Sequence, residues 1–228
     1  MGRGRLVVFE GIDGTGKTTQ IEKLKETLLS LGEDILVTSE PGGTELGKSL
    51  KILLHQNDFD RHTSFFLHLA AANEHMTQVI EPALSSGKIV LCDRHSLSRY
   101  AYQGSGNGIS GDLINSCEDH ISGIRNIHPE LSFVFLLDPS EAYARSVKRD
   151  GNPCNDEKDF QKMKRISDFY KRFSMSNQVG VVPIDARNSP DDIAAKITLQ
   201  TLRMLASRPS LEPTHTIDCS SRRDLRVR

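Results

Sequence analysis

Short apolar runs alternate along this chain with longer stretches whose apolar residues recur at helical spacing. Arg5 to Glu10 (RLVVFE) reads as a buried strand, because Leu6-Val7-Val8-Phe9 leaves it no polar face. A Gly-rich turn follows, and then a helix from about Lys17 to Leu31. Ile35 to Thr38, Ile89 to Cys92, Leu131 to Leu137 and Val179 to Ile184 read as four further strands. Thr63 to Leu84 is Ala-rich and apolar at helical intervals, with Pro82 expected to kink or close its end. Asp156 to Ser176 sets Phe160, Met163, Ile166, Phe169, Tyr170 and Phe173 along one helix face and its charges along the solvated one. Pro190 to Ala206 is a last amphipathic helix. Strands alternating with helices predict an α/β fold: a five-stranded parallel sheet with helices on both faces.

After Ala206 the periodicity stops. Residues 1–206 therefore read as one domain, and 207–228, with Pro209, Pro213 and many Ser and Thr, as a tail expected to be disordered. The 228 residues carry a formal net charge of −1. Five arginines against three acidic residues make the tail +2, leaving −3 on the domain. That balance excludes a general basic coat for nucleic acid or a membrane. No apolar run is long enough for a signal peptide or a membrane span. Cys92, Cys117, Cys154 and Cys219 lie far apart with no C-x-x-C pair, which predicts a reduced, cytoplasmic protein.

The chemistry concentrates behind the first strand. Gly11-Ile12-Asp13-Gly14-Thr15-Gly16-Lys17-Thr18 fits G-x-x-x-x-G-K-[ST], placed between a strand and a helix as that motif requires. The glycines let successive N–H groups converge on a polyphosphate at the positive end of the helix. Lys17 is expected on the β- and γ-phosphates of ATP and the Thr18 hydroxyl on Mg²⁺. The third strand ends in Asp93, able to orient Mg²⁺ or to serve as a turn residue. Arg94 follows it, suited to a second phosphate group. Ser39-Glu40-Pro41-Gly42-Gly43-Thr44 sits at the sheet's C-terminal edge, where a flat ring can approach small residues closely.

The phosphate loop with acidic Asp13, E-P-G-G-T at Glu40 to Thr44, I-x-P-A-L at Ile80 to Leu84, D-R-H at Asp93 to His95, A-Y-Q-G at Ala101 to Gly104 and I-D-A at Ile184 to Ala186 together resemble the bacterial type of thymidylate kinase. The resemblance covers about residues 5–205 and implies Mg²⁺-dependent transfer of the ATP γ-phosphoryl to dTMP by a homodimer. It also implies roles: Asp13 on the deoxyribose 3′-hydroxyl, Arg94 on the dTMP phosphate, Pro41 on the thymine, and Tyr102 and Gln103 closing the site. A mobile lid at about 145–158 would bring in Arg145, Lys148 and Arg149, which otherwise read as a solvated helix face.

Several positions depart from the family pattern. Ser39 stands where Arg is usual before E-P-G-G. His68 and Ala72 stand where the long helix usually carries Phe and Arg toward the base. Arg99 replaces a small polar residue, and Pro153-Cys154-Asn155-Asp156 replaces the D-R-[FI]-E of the lid. One reading has Arg99 reach the base in place of the missing arginine while His68 stacks on it; the other is drift. The alternatives to a dTMP kinase are a deoxynucleoside kinase with Glu40 as base, another nucleoside monophosphate kinase, and a catalytically inactive nucleotide-binding protein.

Overall fold

A computed structural model describes residues 3–150, 157–176 and 178–207. Five strands form one sheet: β1 (Arg5–Glu10), β2 (Ile35–Ser39), β3 (Ile89–Asp93), β4 (Leu131–Leu136) and β5 (Val181–Asp185). Their order is β2-β3-β1-β4-β5 with every pair parallel, as the alternating pattern predicts. Successive side chains of β1 explain its unbroken apolar run. Val7 and Phe9 enter the core with Phe133, Phe135 and Tyr170 on one face; Leu6 and Val8 enter a second core with Val90, Met76 and Ile80 on the other.

The helices are α1 (Lys17–Ser30), α2 (Glu45–Gln56), α3 (Arg61–His75), α4 (Glu81–Ser85), α5 (Ser96–Arg99), α6 (Gly111–Glu118), α7 (Pro139–Asp150), α8 (Glu157–Ser174) and α9 (Pro190–Ala206). The long Ala-rich stretch does not end at Pro82. Between α3 and α4 the chain widens into a π turn, Met76–Ile80, in which the Glu81 N–H reaches back five residues to the Met76 carbonyl. That widened turn lets Pro82 enter without an amide hydrogen to offer. Similar wide turns, Tyr100–Gly106 and Asp119–Gly123, continue α5 and α6.

The sheet order places β1 between β3 and β4, and the loop after β1 opens at this switch of winding. Phe9 pairs with Asp93, so the carboxylate that ends β3 stands level with the start of the phosphate loop. Gly16 is left-handed, φ 90°, and turns the loop into α1. Gly14, also left-handed at φ 81°, lies under α7: a Cβ there would strike the Ala142 carbonyl. Only a bare backbone fits between loop and helix. No helix among the described residues is long and apolar enough to cross a membrane. Residues 151–156, the middle of the expected lid with Pro153 to Asp156, and residues 208–228 of the expected tail lie outside the described residues.

Candidate active site

The phosphate loop is held by its own lysine. Lys17 is buried, and its Nζ donates to the carbonyls of Gly11 and Ile12, both at 3.0 Å, with the Asp13 carboxylate 3.9 Å away. Burial pulls its pKa down to about 8, with the Arg94 charge acting in the same direction and Asp93, Asp13 and Glu10 opposing. The Thr15 hydroxyl closes the loop on the Ile12 carbonyl at 2.9 Å. Thr18 is exposed at the first turn of α1, its position suited to a metal-bound polyphosphate. Across from it, Asp93 Oδ1 is buried and hydrogen-bonds no group among the described residues. A buried carboxylate oxygen without a donor is a site prepared for a cation or its water.

Arg94 links the loop to the opposite wall. Its backbone is left-handed at φ 70°, an uncommon conformation for a side chain with a Cβ. Its N–H donates to Phe9 O at 3.0 Å, which anchors the turn to β1. The guanidinium donates to Asp13 Oδ1 at 2.6 Å and to Ser98 Oγ at 3.3 Å, and lies 4.7 Å from the centre of the Tyr102 ring. Thus Asp13, Lys17, Asp93, Arg94 and Tyr102, all expected at the site, come together. Burial pushes the Tyr102 hydroxyl up to about 12, keeping it a neutral donor.

Sequence reasoning missed the residue beneath this group. Glu10 is fully buried and accepts from the His95 N–H at 2.9 Å, from Ser98 Oγ and from the Tyr170 hydroxyl at 3.1 Å. Burial raises its pKa above the ordinary value, although Ser98, the Arg94 charge and the His95 N–H all resist that shift. It therefore ties α5 and α8 to the last residue of β1 and keeps Ser98 turned toward Arg94. The signal was an acid inside an apolar strand, Phe9-Glu10-Gly11, which solvent exposure cannot explain.

The residues expected on the acceptor side have protein partners of their own. Arg99 is 2% exposed, and its guanidinium donates to both oxygens of Glu118 and to Glu40 Oε1; the NH2 contact to Glu118 Oε2 is 3.0 Å. It stands clamped between two carboxylates, and Glu40, expected on substrate, is one of them. Ala72 is core, packed with Met76, Ile80 and Val90. His68 is half-buried, with Nδ1 2.7 Å from the Ser64 carbonyl, and burial lowers its pKa, with Lys162 and His55 adding to the effect. Pro41 lies between Glu40 and Gly43; a Cβ at Gly43 would collide with His75, whose Nε2 meets Thr38 Oγ1 at 2.6 Å. Thr44 then caps α2, accepting from the Gly47 N–H at 2.9 Å. Gln103 is buried, and its carbonyl accepts from the Ile109 N–H at 2.9 Å.

Of the expected lid cations, Arg145 is held by protein groups away from the loop. Arg145 donates to the Ala186 carbonyl at 3.0 Å and to Glu141 at 2.6 Å, which holds it at the end of β5. Lys148 is exposed on α7, and the Arg149 side chain lies outside the described residues.

A phosphate loop between β1 and α1, a carboxylate ending the neighbouring strand and an arginine facing the loop define a P-loop nucleotide kinase. The profile of the family described as Thymidylate kinase matches residues 9–197. A thymidylate kinase of Magnetococcus marinus is 35% identical over 199 residues, 86% of this chain and 94% of that protein. Thymidylate kinases of Paraburkholderia xenovorans and Burkholderia mallei are 42% and 40% identical, over 66% and 64% of this chain and 74% and 71% of theirs. The chain belongs to the thymidylate kinase family, whose reaction is the ATP-dependent phosphorylation of dTMP to dTDP.

Proposed function

We propose that this chain transfers the γ-phosphoryl group of ATP to dTMP at the cleft between the phosphate loop and Arg94. The observation that carries the reading is the 2.6 Å ion pair between Asp13, a residue of the donor loop, and Arg94 of the acceptor wall. It sets the two substrate sites edge to edge. The amides of Gly11 to Thr18 and the Lys17 ammonium cradle the ATP phosphates, and Arg94 turns the dTMP phosphate toward them. An oxygen of that phosphate bonds to the γ-phosphorus, the bond to the β–γ bridging oxygen breaks, and ADP leaves with the electron pair. The acceptor is already ionised near neutral pH, its second pKa being ~6, so no general base is required. Thr18 and the unpartnered Asp93 Oδ1 fit a Mg²⁺ ion, which supplies charge neutralisation on the polyphosphate when bound. Asp13 holds the deoxyribose 3′-hydroxyl. Tyr102 and Gln103 close the acceptor site, while Pro41, His68 and the Glu40–Arg99 pair form its base side. Arg145 and Arg149 of α7 act on the donor side, with Arg145 moving off the Ala186 carbonyl as the site closes.

The partner is a second copy of the chain. Leu46 and Leu53, two turns apart on one face of α2, are exposed, as is Phe66 on the neighbouring α3. A second copy supplies the same apolar surface to cover them. Light scattering is expected to give twice 25.4 kDa and to fall to one chain mass for Phe66→Glu. Free Cys92 and Cys117 fit a reducing, cytoplasmic setting.

ADP release measured with thymidine, dTMP, dUMP, dGMP and CMP tests the activity. The expected result is the highest kcat/KM with dTMP and at least a thousandfold less with thymidine. Faster turnover of thymidine would instead make the chain a deoxynucleoside kinase, and ATP binding without turnover a non-enzymatic protein.

A further inference from the structure

A cavity of about 310 Å³ opens away from the phosphate loop and shares no lining residue with it. Its walls are the end of α2 at Leu54, the connection Asn57 to Phe59, the first turn of α3 with Arg61 and Ser64, then Asn107, and Lys162 of α8. Two cations reach into it from opposite sides of one short segment. The Arg61 guanidinium lies 3.6 Å from where a Cβ of Gly108 would stand, and the Lys162 Cε lies 3.4 Å from the corresponding point at Gly106. Both side chains thus come within ordinary contact distance of the glycines that flank Asn107. Gly108 is also left-handed, φ 74°.

The segment they approach is fixed. Arg165 donates to the carbonyls of Ser105 at 3.3 Å and Gly106 at 3.1 Å, the Gly108 N–H donates to Gly104 O at 2.7 Å, and the Ile109 N–H to Gln103 O at 2.9 Å. By contrast neither the Arg61 nor the Lys162 side chain has a hydrogen bond or ion pair among the described residues, although Lys162 is half-buried. One carboxylate, Asp58, lines the cavity against them. Of the two cations, Lys162 also bears on His68, one helical turn from Ser64, where its charge adds to burial in lowering the imidazole pKa.

We infer that Arg61 and Lys162, with the Asn107 and Asn57 amides and the Ser64 hydroxyl, form a second anion site that takes a phosphate or polyphosphate group, over the apolar floor of Leu54 and Phe59. A fork of guanidinium donors opposite a point ammonium charge is the donor set suited to a phosphate group. The site lies outside the phosphoryl-transfer cleft and does not depend on the identity of the acceptor nucleotide.

Calorimetric titration of the full chain with pyrophosphate tests it. Two binding events are expected, one at the phosphate loop and one here. Lys17→Ala should keep the second event, and the double variant Arg61→Ala/Lys162→Ala should keep the first while weakening the second at least tenfold. Both variants are checked for unchanged far-UV circular dichroism. Competition separates the sources. Displacement by orthophosphate alone assigns an inorganic anion, and displacement by dTTP in the Lys17→Ala protein assigns a nucleotide phosphate. Two undiminished events in the double variant, or none in Lys17→Ala, would overturn the inference.

Discussion

Replacing Lys17 by Ala is expected to lower kcat by about a thousandfold, on the order of 4 kcal/mol of transition-state stabilisation. The ammonium sits on the loop carbonyls at 3.0 Å, and in the reaction proposed above it meets the charge that gathers on the transferring group. Its low pKa, about 8, adds a pH signature. In free enzyme kcat/KM for ATP should rise as the acceptor phosphate ionises, near pH ~6. It should then fall tenfold per unit above about pH 8, as Lys17 loses its proton. Lys17→Ala should abolish that falling limb together with most of the rate. Stability moves the other way. The folded pKa lies below the unfolded value, so the unfolded chain binds more protons between about pH 8 and the ordinary lysine range. Melting temperature without nucleotide should therefore climb across that window in the parent and stay flat there in the variant. A parent kcat/KM that holds level to pH 10 would mean that Lys17 keeps its proton there, and an unchanged kcat in Lys17→Ala would remove it from the mechanism.

The parts legible in the sequence are those whose cause is local. The three central strands, β1, β3 and β4, are buried on both faces, and a run such as Ile89-Val90-Leu91-Cys92 can serve nowhere else. The phosphate loop is legible because backbone conformation alone makes it, and the glycines that permit that conformation are written in order. Two helices that position the site were not. α2 follows directly on Pro41-Gly42-Gly43, which reads as a turn; Leu46, Leu50, Leu53 and Leu54 do recur at helical spacing, but the helix buries only Gly47, and that apolar face is left at the surface. α7 is polar over most of its length, and what fixes it is the contact of its backbone with Gly14. The fate of Arg99 was illegible for another reason. Glu118 lies 19 residues on and Glu40 lies 59 back, each on a different element. Sequence spacing showed an unusual arginine beside the acceptor site, and only the packing of α6 against the Tyr100–Gly106 turn shows what neutralises it.

That triad carries the second large effect. Arg99→Met is expected to cost about 3–5 kcal/mol, because it leaves Glu40 and Glu118, each about nine-tenths buried, without a cation between them. For a chain of this size that corresponds to a fall in melting temperature of roughly 6–20 °C at pH 8. The deficit should shrink on acidification. Two facing buried carboxylates repel, so one takes a proton more readily than it does in the unfolded chain, and stability returns as pH falls through that raised pKa. The double variant Arg99→Met/Glu118→Gln should recover part of the loss at pH 8, since it removes one of the two charges. Function separates along the same line. With Glu40 released, the wall from Glu40 to Thr44 loses its tie to α5, and KM for dTMP should rise at least tenfold. KM for ATP should change less than twofold, because Lys17 and the loop carbonyls do not touch the triad. Equal rises in both constants would mean that Arg99 supports the domain as a whole rather than the acceptor wall.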